Sequence, residues 1–580
     1  MIRSILMRLI YNSKYAEIDQ NISDCQMGAR KGKGCKSNIW MINGIIHETL
    51  NNKNKKPIIL QIYDYAQMFD SINLQEALCD IYDYGLNDDN LPLIFKANQE
   101  VNMAVKTPWG ITDRQIIQNS VLQGDIFGSL LAAVQVDTIA QEVEKAGVGY
   151  MYKEKLPVNI LGLVDDMVGV TEAGHQAQVM NTILNIKSAE KGLQFGTNKC
   201  KYMKIGRKTE NVRNNAIYVD GWEEEYLVNN ENQEVDLKEK YIGKIPIEEV
   251  EQQKYLGFMI SSKGNNFVNI KAMERKSIGV IRTIMSKLEK LKLRQYFYEC
   301  SKIFMNVILR GSILYAGECY YNLTEKQLRR IEQIEEKYMR NIFQTGRSCP
   351  NVQMYLEFGQ WPARFELKKM RCLFLKQILK QNKNSQIYRF FELQLKNPVK
   401  GDWVSTCLTD LFELEIKETL EEIENMSAYK FKNLVKRKTE IKALEYLLRK
   451  RGTKGREIDY TTLEMSEYLL PFNSRLNIEE KRSLFEIRNR MTKIPIHFGK
   501  KEAKCIFGEE ENMPHIYSCK LINNTKPCIN YNNIYNGNLN AQIDIFRRME
   551  NNLEKRNQIK EKEKHPCDPC DPPYCQYGIG

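Results

Sequence analysis

One apolar stretch of this chain is broken in its middle by two adjacent carboxylates: Leu161-Gly162-Leu163-Val164-Asp165-Asp166-Met167-Val168-Gly169-Val170. Upstream, a second apolar run, Ile58-Ile59-Leu60-Gln61-Ile62-Tyr63, ends on a third carboxylate, Asp64. Short runs of this kind read as buried strands, and the later pair as a tight hairpin with the aspartates at its turn. Charge beside a buried sheet is unfavourable unless something compensates it. Three carboxylates delivered by neighbouring strands suit a pair of divalent cations and phosphoryl transfer.

At 580 residues the chain is long enough for roughly three or four domains. With 42% apolar and 27% charged residues, most of it can bury real cores rather than remain disordered. The net charge of +12 leans toward a polyanionic partner. Its distribution is more telling than its total. Between Lys263 and Arg347 there are 17 Lys/Arg against 8 Asp/Glu, so most of the excess sits on one segment. The fifteen cysteines are scattered, several (Cys79, Cys300, Cys372) inside apolar helical stretches, and no secretory signal precedes them. That usage points to a reducing, intracellular setting. No apolar run reaches the roughly 20 residues a membrane span needs, so no membrane partner is expected.

Along the chain, residues 1–56 read as a helix, a Gly/Lys-rich loop (Gly28-Ala29-Arg30-Lys31-Gly32-Lys33-Gly34) and a second helix near 37–51. A strand over 58–64 is followed by a helix over 73–84. A hairpin turns around Pro108-Trp109-Gly110, and a helix covers 126–145. The Asp-Asp hairpin comes next, then a helix over 174–191. The order predicts an α+β fold: an antiparallel sheet covered by helices on one face. Residues 206–250 are rich in acids and read as an irregular surface insertion. Beyond 257 helices dominate. Val280, Ile281, Ile284, Met285, Leu288 and Leu291 share one face of the first, and Leu328, Ile331, Ile334, Met339 and Ile342 one face of another.

An Asp-Asp pair at a hairpin is by itself ordinarily only a turn. Here it stands in a series of motifs: Gln26-Met27-Gly28-Ala29-Arg30-Lys31-Gly32, then Asp64-Tyr65-Ala66-Gln67-Met68-Phe69-Asp70-Ser71, then Gln123-Gly124-Asp125-Ile126-Phe127-Gly128-Ser129-Leu130-Leu131. Leu163-Val164-Asp165-Asp166, Asn198-Lys199-Cys200-Lys201 and Lys254-Tyr255-Leu256-Gly257 follow. The succession resembles the reverse transcriptase of non-LTR (LINE-like) retrotransposons: its Q-x-G-F-R-x-G finger motif, D-x-x-x-A-F-D-S, Q-G-D-P-L-S-P-L-L, Y-A-D-D, N-x-x-K-T and K-Y-L-G. The resemblance implies a right-hand polymerase with partial fingers (1–56), palm (57–262), helical thumb (263–347), helical C-terminal region (348–500), degenerate zinc knuckle (501–525) and disordered tail (551–580).

It also implies roles. Asp64 and Asp165 would hold two Mg²⁺ ions, with Asp166 in support. Phe69 would crowd a 2′-hydroxyl and select deoxynucleotides. Gln123 and Gly124 would line the nucleotide and template pocket, with Arg30 also at the substrate. Lys199 would stabilise or protonate the leaving group. The basic 263–347 helices would track a phosphate backbone by shape. The implied partners are an RNA template, a DNA primer, dNTPs and an element-derived endonuclease or second chain; the implied location is the nucleus. Cys505, His515 and Cys519 resemble a zinc knuckle with one ligand missing, since Phe507 or Gly508 stands in its place. Three ligands make a poor structural Zn²⁺ site. The chain begins after the family's earlier finger segment and so reads as N-terminally truncated. Leu163 replaces the usual tyrosine, and Met68 a small residue. A different class of reading is a catalytically silent relative that binds nucleic acid through its basic surface.

Overall fold

The strand β1 (Ile58–Tyr63) is buried at all six positions, which requires partners on both edges and cover over both faces. In the computed structural model it is the central strand of a five-stranded sheet. Around it lie β2 (Ile160–Leu163), β3 (Asp166–Thr171), β4 (Lys201–Ile205) and β5 (Glu248–Glu249), in the order β5-β4-β1-β3-β2. The structure describes residues 2–52, 56–86, 89–118, 121, 125–206, 217–228, 235–290, 297–345, 349–452, 480–483, 485, 543–544, 546–549, 551–555 and 558.

β1 pairs antiparallel with β4 (Ile58↔Ile205, Ile62↔Lys201) and with β3 (Ile59↔Thr171, Tyr63↔Met167). β2 and β3 form the expected hairpin, Ile160↔Gly169 to Leu163↔Asp166. Only the β4–β5 edge pairing is parallel.

Helices cover both faces of the sheet, not one. Ile59, Tyr63 and Met167 share a core with Leu130, Leu131 and Val134 of one helix (Gly128–Lys145) and Ala177, Met180 and Leu184 of another (Gly174–Glu190). The alternate residues of β1, Ile58, Leu60 and Ile62, are buried as well. On their side α2 (Cys35–Asn51), which follows α1 (Ile2–Asn21), packs against β2 and β4. The reason lies in β1 itself: both parities of the strand are apolar, so neither face can be left to water. Its one amide, Gln61, is buried but donates to Tyr63 Oη at 2.8 Å and Asn181 Oδ1 at 2.8 Å.

The chain divides into two compact units that interleave along the sequence. One comprises residues up to Ala272, Leu314–Thr324 and Leu367–Val435; the other comprises Met273–Ile313, Glu325–Glu366 and the described residues from Lys436 onward. The stretch 348–500 therefore contributes to both. In the first unit an aromatic cluster ties its C-terminal helices to α2. The Trp40 ring lies 5.0 Å from Phe390, 5.4 Å from Trp403 and 5.9 Å from Phe374. The Trp403 indole N–H donates to the Glu318 carbonyl at 2.6 Å, so its polar atom is satisfied.

Within the second unit, Ile281, Ile284 and Leu288 are buried, as are Ile331, Ile334, Met339 and Ile342 of the helix Glu325–Phe343. The helical periodicity in the sequence marked those faces. A buried ion pair lies beside them. Arg310 Nε donates to Glu335 Oε1 at 2.8 Å and Nη1 to Gln360 Oε1 at 2.8 Å. Glu335 Oε2 accepts from Tyr355 Oη at 2.9 Å and from the Ala363 amide at 2.9 Å.

The 206–250 segment departs from its expected irregularity. Tyr218–Val228 and Val235–Pro246 pair as a long antiparallel ribbon. Its register sets Glu223 opposite Lys240 and Glu225 opposite Lys238, an alternation that a tally of acids conceals. The knuckle candidates Cys505, His515 and Cys519 lie outside the described residues. Of the 551–580 tail expected to be disordered, residues 551–555 and 558 are helical, with Asn552 buried, and the rest lies outside the described residues. Among the described residues no helix is long and apolar enough to cross a membrane.

Candidate active site

The three aspartates meet because of strand register. β1 ends at Tyr63, opposite Met167, so Asp64 leaves the sheet in line with Asp166 at the start of β3. Asp165 sits in the two-residue turn between β2 and β3. All three are half-buried. Burial pushes the Asp166 carboxyl up to about 6, and the neighbouring charges of Asp165 and Asp64 add to it. Asp165 is raised for the same reasons, by burial and by Asp64, while backbone N–H groups of Asp165 and Asp166 pull it back.

The fourth charge is Lys199. Its Nζ lies 3.0 Å from Asp64 Oδ1, and that hydrogen bond raises the lysine above its ordinary value. The loop before it is fixed to the strand end. Gly196 N donates to the Asp64 carbonyl at 2.8 Å, Ala66 N to the Gln194 carbonyl at 2.9 Å, and the Tyr65 and Phe195 rings stack at 4.5 Å. Two segments far apart in sequence thereby present a carboxylate and an ammonium to the same place.

Phe69 follows on the four-residue helix Met68–Ser71, which Gln67 enters at φ 43°. The ring is half-buried and packs against the core of the first unit. Gln123 and Gly124 lie outside the described residues. Asp125 beside them is half-buried at the entrance to the helix Gly128–Lys145.

Arg30 is not among the residues brought to the carboxylates. Nε pairs with Asp19 Oδ1 at 2.7 Å, Nη1 donates to the Ser23 carbonyl at 2.7 Å and Nη2 to the Asp19 carbonyl at 2.8 Å. Its donors are spent on Asp19 in the last turn of α1, whose carbonyl the helix leaves open, and on Ser23 just beyond that helix. The Gly/Lys loop instead lines a cavity of about 880 Å³ with Lys376, Lys380 and Lys432.

Behind the Asp-Asp turn, three buried polar side chains reach the backbone between Leu161 and Asp166: Gln26, Asn38 and Tyr255. Sequence reasoning met Gln26 and Tyr255 as motif residues without a role and passed over Asn38. A polar residue on the apolar face of α2 was the available signal, since a buried amide is informative where a buried leucine is not.

Among the described residues no group of three or more His, Cys, Asp or Glu is arranged to hold a metal ion. The donor chemistry nevertheless fits a hard divalent cation: carboxylate oxygens only, half-buried, with Asp165 and Asp166 both holding a proton more tightly than usual because of burial and the neighbouring carboxylates.

Residues 3–260 match the family model described as reverse transcriptase (RNA-dependent DNA polymerase), so this stretch is a reverse transcriptase domain. No curated protein matches the chain. Similar solved structures include apo telomerase from Candida tropicalis, at 10% identity and TM-score 0.31, covering 80% of this chain and 61% of that one. Telomerase from Candida albicans in complex with a TWJ fragment of telomeric RNA matches at 13% identity and TM-score 0.26, covering 69% and 59%. A Candida tropicalis apo telomerase truncated from its C-terminal domain matches at 11% identity and TM-score 0.29, covering 44% of each chain. The chain spans less than two thirds of the length of each of these structures.

Proposed function

We propose that the reverse transcriptase domain of residues 3–260 is a working RNA-directed DNA polymerase of the non-LTR retrotransposon type. It would extend a DNA primer 3′-hydroxyl with dNTPs on an RNA template. The observation that carries this is the convergence of Asp64, Asp165 and Asp166 at the ends of adjacent strands of that domain.

Asp64 and Asp165 are the residues that would hold Mg²⁺, with Asp166 in support. Two such ions bound there would supply activation of the 3′-hydroxyl and compensation of charge on the triphosphate. The protein's own groups do the rest. Lys199, kept protonated by Asp64, is an exposed cation beside the carboxylates, where charge on a departing pyrophosphate develops. Phe69, on the helix that leaves Asp64, supplies a wall against the sugar. The half-buried Asp166, pushed up to about 6, ionises fully near neutral pH only with a counter-charge beside it. The excess of Lys/Arg over 263–347 would hold the RNA–DNA hybrid by its backbone. An endonuclease or second chain as partner, and nuclear action, belong to the same reading.

The test is primer extension by the purified protein on an oligonucleotide-primed RNA, with Mg²⁺ or with EDTA. Extension that EDTA abolishes supports the reading. A folded protein that binds primer–template with steep salt dependence but adds no nucleotide would be a nucleic-acid-binding relative instead. In the same assay Phe69→Ala is expected to narrow the preference for dNTPs over rNTPs by about tenfold or more, because a methyl leaves room for a ribose hydroxyl. Unchanged discrimination would remove Phe69 from the sugar.

A further inference from the structure

The turn that carries the aspartates is strained at its first residue. Val164 has φ 59°, in the left-handed region, where a β-branched side chain is a steric outlier. Such a conformation persists only where its surroundings over-determine it. Gln26 supplies the restraint. Its Oε1 accepts from the Val164 N–H at 2.8 Å, and its Nε2 donates to the Val164 carbonyl at 3.1 Å. One primary amide thus pairs with both main-chain groups of a single residue, as the peptide of a neighbouring strand would.

The placement follows from the sheet. β2 is an edge strand, and the chain around Gln26 runs alongside it. Gly162 N donates to the Cys25 carbonyl and Met27 N to the Gly162 carbonyl, both at 2.8 Å. That main-chain pairing stops where the turn begins, and the Gln26 side chain continues it across the turn. Gly28 makes the approach possible. A Cβ there would lie 2.3 Å from Val164 N and 2.9 Å from Gln26 Oε1. The Gly28 N–H in turn donates to that same Oε1 at 2.8 Å, orienting the amide. Gln26 is 1% exposed, so water does not compete for these bonds. Asn38 and Tyr255 hold the adjoining carbonyls, Asn38 Nδ2 on Gly162 at 3.0 Å and Tyr255 Oη on Leu161 at 3.4 Å. Of the three, Gln26 alone bonds to Val164.

We propose that Gln26 is a positioning residue: its amide clamps Val164 in the left-handed conformation and so fixes the direction in which Asp165 and Asp166 leave the turn. The inference rests on the polymerase reading of these aspartates. Both a donor and an acceptor are needed, and this separates the clamp from a merely space-filling buried side chain. Gln26→Met keeps the volume and loses both; Gln26→Glu keeps the acceptor and loses the donor.

The experiment is single-nucleotide incorporation with wild type, Gln26→Met and Gln26→Glu, measured together with primer–template Kd. A misdirected reacting group costs on the order of 10²-fold. The expected result is a fall in kcat of at least about tenfold in Gln26→Met, an intermediate fall in Gln26→Glu, and KM and Kd within about twofold of wild type. An unchanged kcat in a folded Gln26→Met would overturn the proposal, as would equal losses in KM and Kd. Where Gln26→Met fails to fold, Gly28→Ala keeps the glutamine but presses a methyl onto both Val164 N and Gln26 Oε1, and the same kcat-specific loss is expected; none would overturn the proposal. A wild type that adds no nucleotide would sink the polymerase reading and leave the clamp to be judged by amide hydrogen exchange over residues 161–168. Faster exchange in Gln26→Met would sustain it, and unaltered exchange would end it.

Discussion

Replacing Asp165 with asparagine is expected to lower primer extension by about a thousandfold or more, roughly 4 kcal/mol of barrier. Asparagine matches the shape of aspartate and suits a turn, so the hairpin should close as before. What is lost is the charge. Asp165 is half-buried, and its carboxyl is raised by burial and by Asp64; a group in that situation binds a cation more willingly than it stays ionised alone. Primer–template affinity and its salt dependence should not change, because the phosphate contacts lie on other residues. Asp64→Asn should behave alike in extension and also release Lys199, whose Nζ is held at 3.0 Å by the Asp64 carboxylate. Extension by Asp165→Asn at the wild-type rate would place the chemistry elsewhere. Lost extension together with lost binding would mean that the substitution disturbed the fold.

The largest effect on stability is expected in the second unit, from Arg310→Leu. Glu335 is fully buried, and burial pushes its carboxyl up despite the guanidinium beside it. Without Arg310 that carboxylate keeps only the Tyr355 hydroxyl and the Ala363 amide. Removing one partner of a buried pair costs about 3–5 kcal/mol, because the other charge stays desolvated. Urea unfolding followed by amide exchange in Glu325–Phe343 would read the loss. Arg310→Met with Glu335→Leu should recover most of it, since apolar replacement of both partners is often neutral. The deficit should also depend on pH in a stated direction. Glu335 titrates higher in the folded chain than the roughly 4.3 of an unfolded glutamate. The single variant should therefore lie nearest wild type below that pH and fall away as pH rises through it. A loss under about 1 kcal/mol at neutral pH, or one that shrinks as pH rises, would show that Arg310 does not neutralise Glu335.

Much of this protein could be read from local sequence. The runs 58–63 and 160–171 are short and apolar and break at Asp64 and at Asp165-Asp166, so the strands and the position of their carboxylates were legible before any tertiary contact was known. The helical faces at 281–288 and 331–342 were legible for the same reason: a period of 3.6 in apolar residues is a local signal. Arg30 shows where that kind of reading stops. Its motif placed it at the substrate, but its donors are committed to Asp19 and Ser23, a bonding choice made by the end of α1. The cross-strand order of charges in 218–246 was likewise hidden, because register is a relation between two segments and composition describes each alone.

By itself, then, the sequence determined the central strand, the Asp-Asp hairpin, the amphipathic helical faces and which carboxylates end the strands, though not the ribbon of 218–246, because the former follow from neighbours within a turn or two along the chain. Only the tertiary structure decided that residues 367–435 join the unit of the sheet, with Trp40 among Phe374, Phe390 and Trp403. It alone decided that Lys199 meets Asp64 and that Gln26 grips Val164. Each of those contacts joins residues more than a hundred positions apart. What selects them is the burial of polar groups that must find partners, and no local pattern records which partner lies within reach.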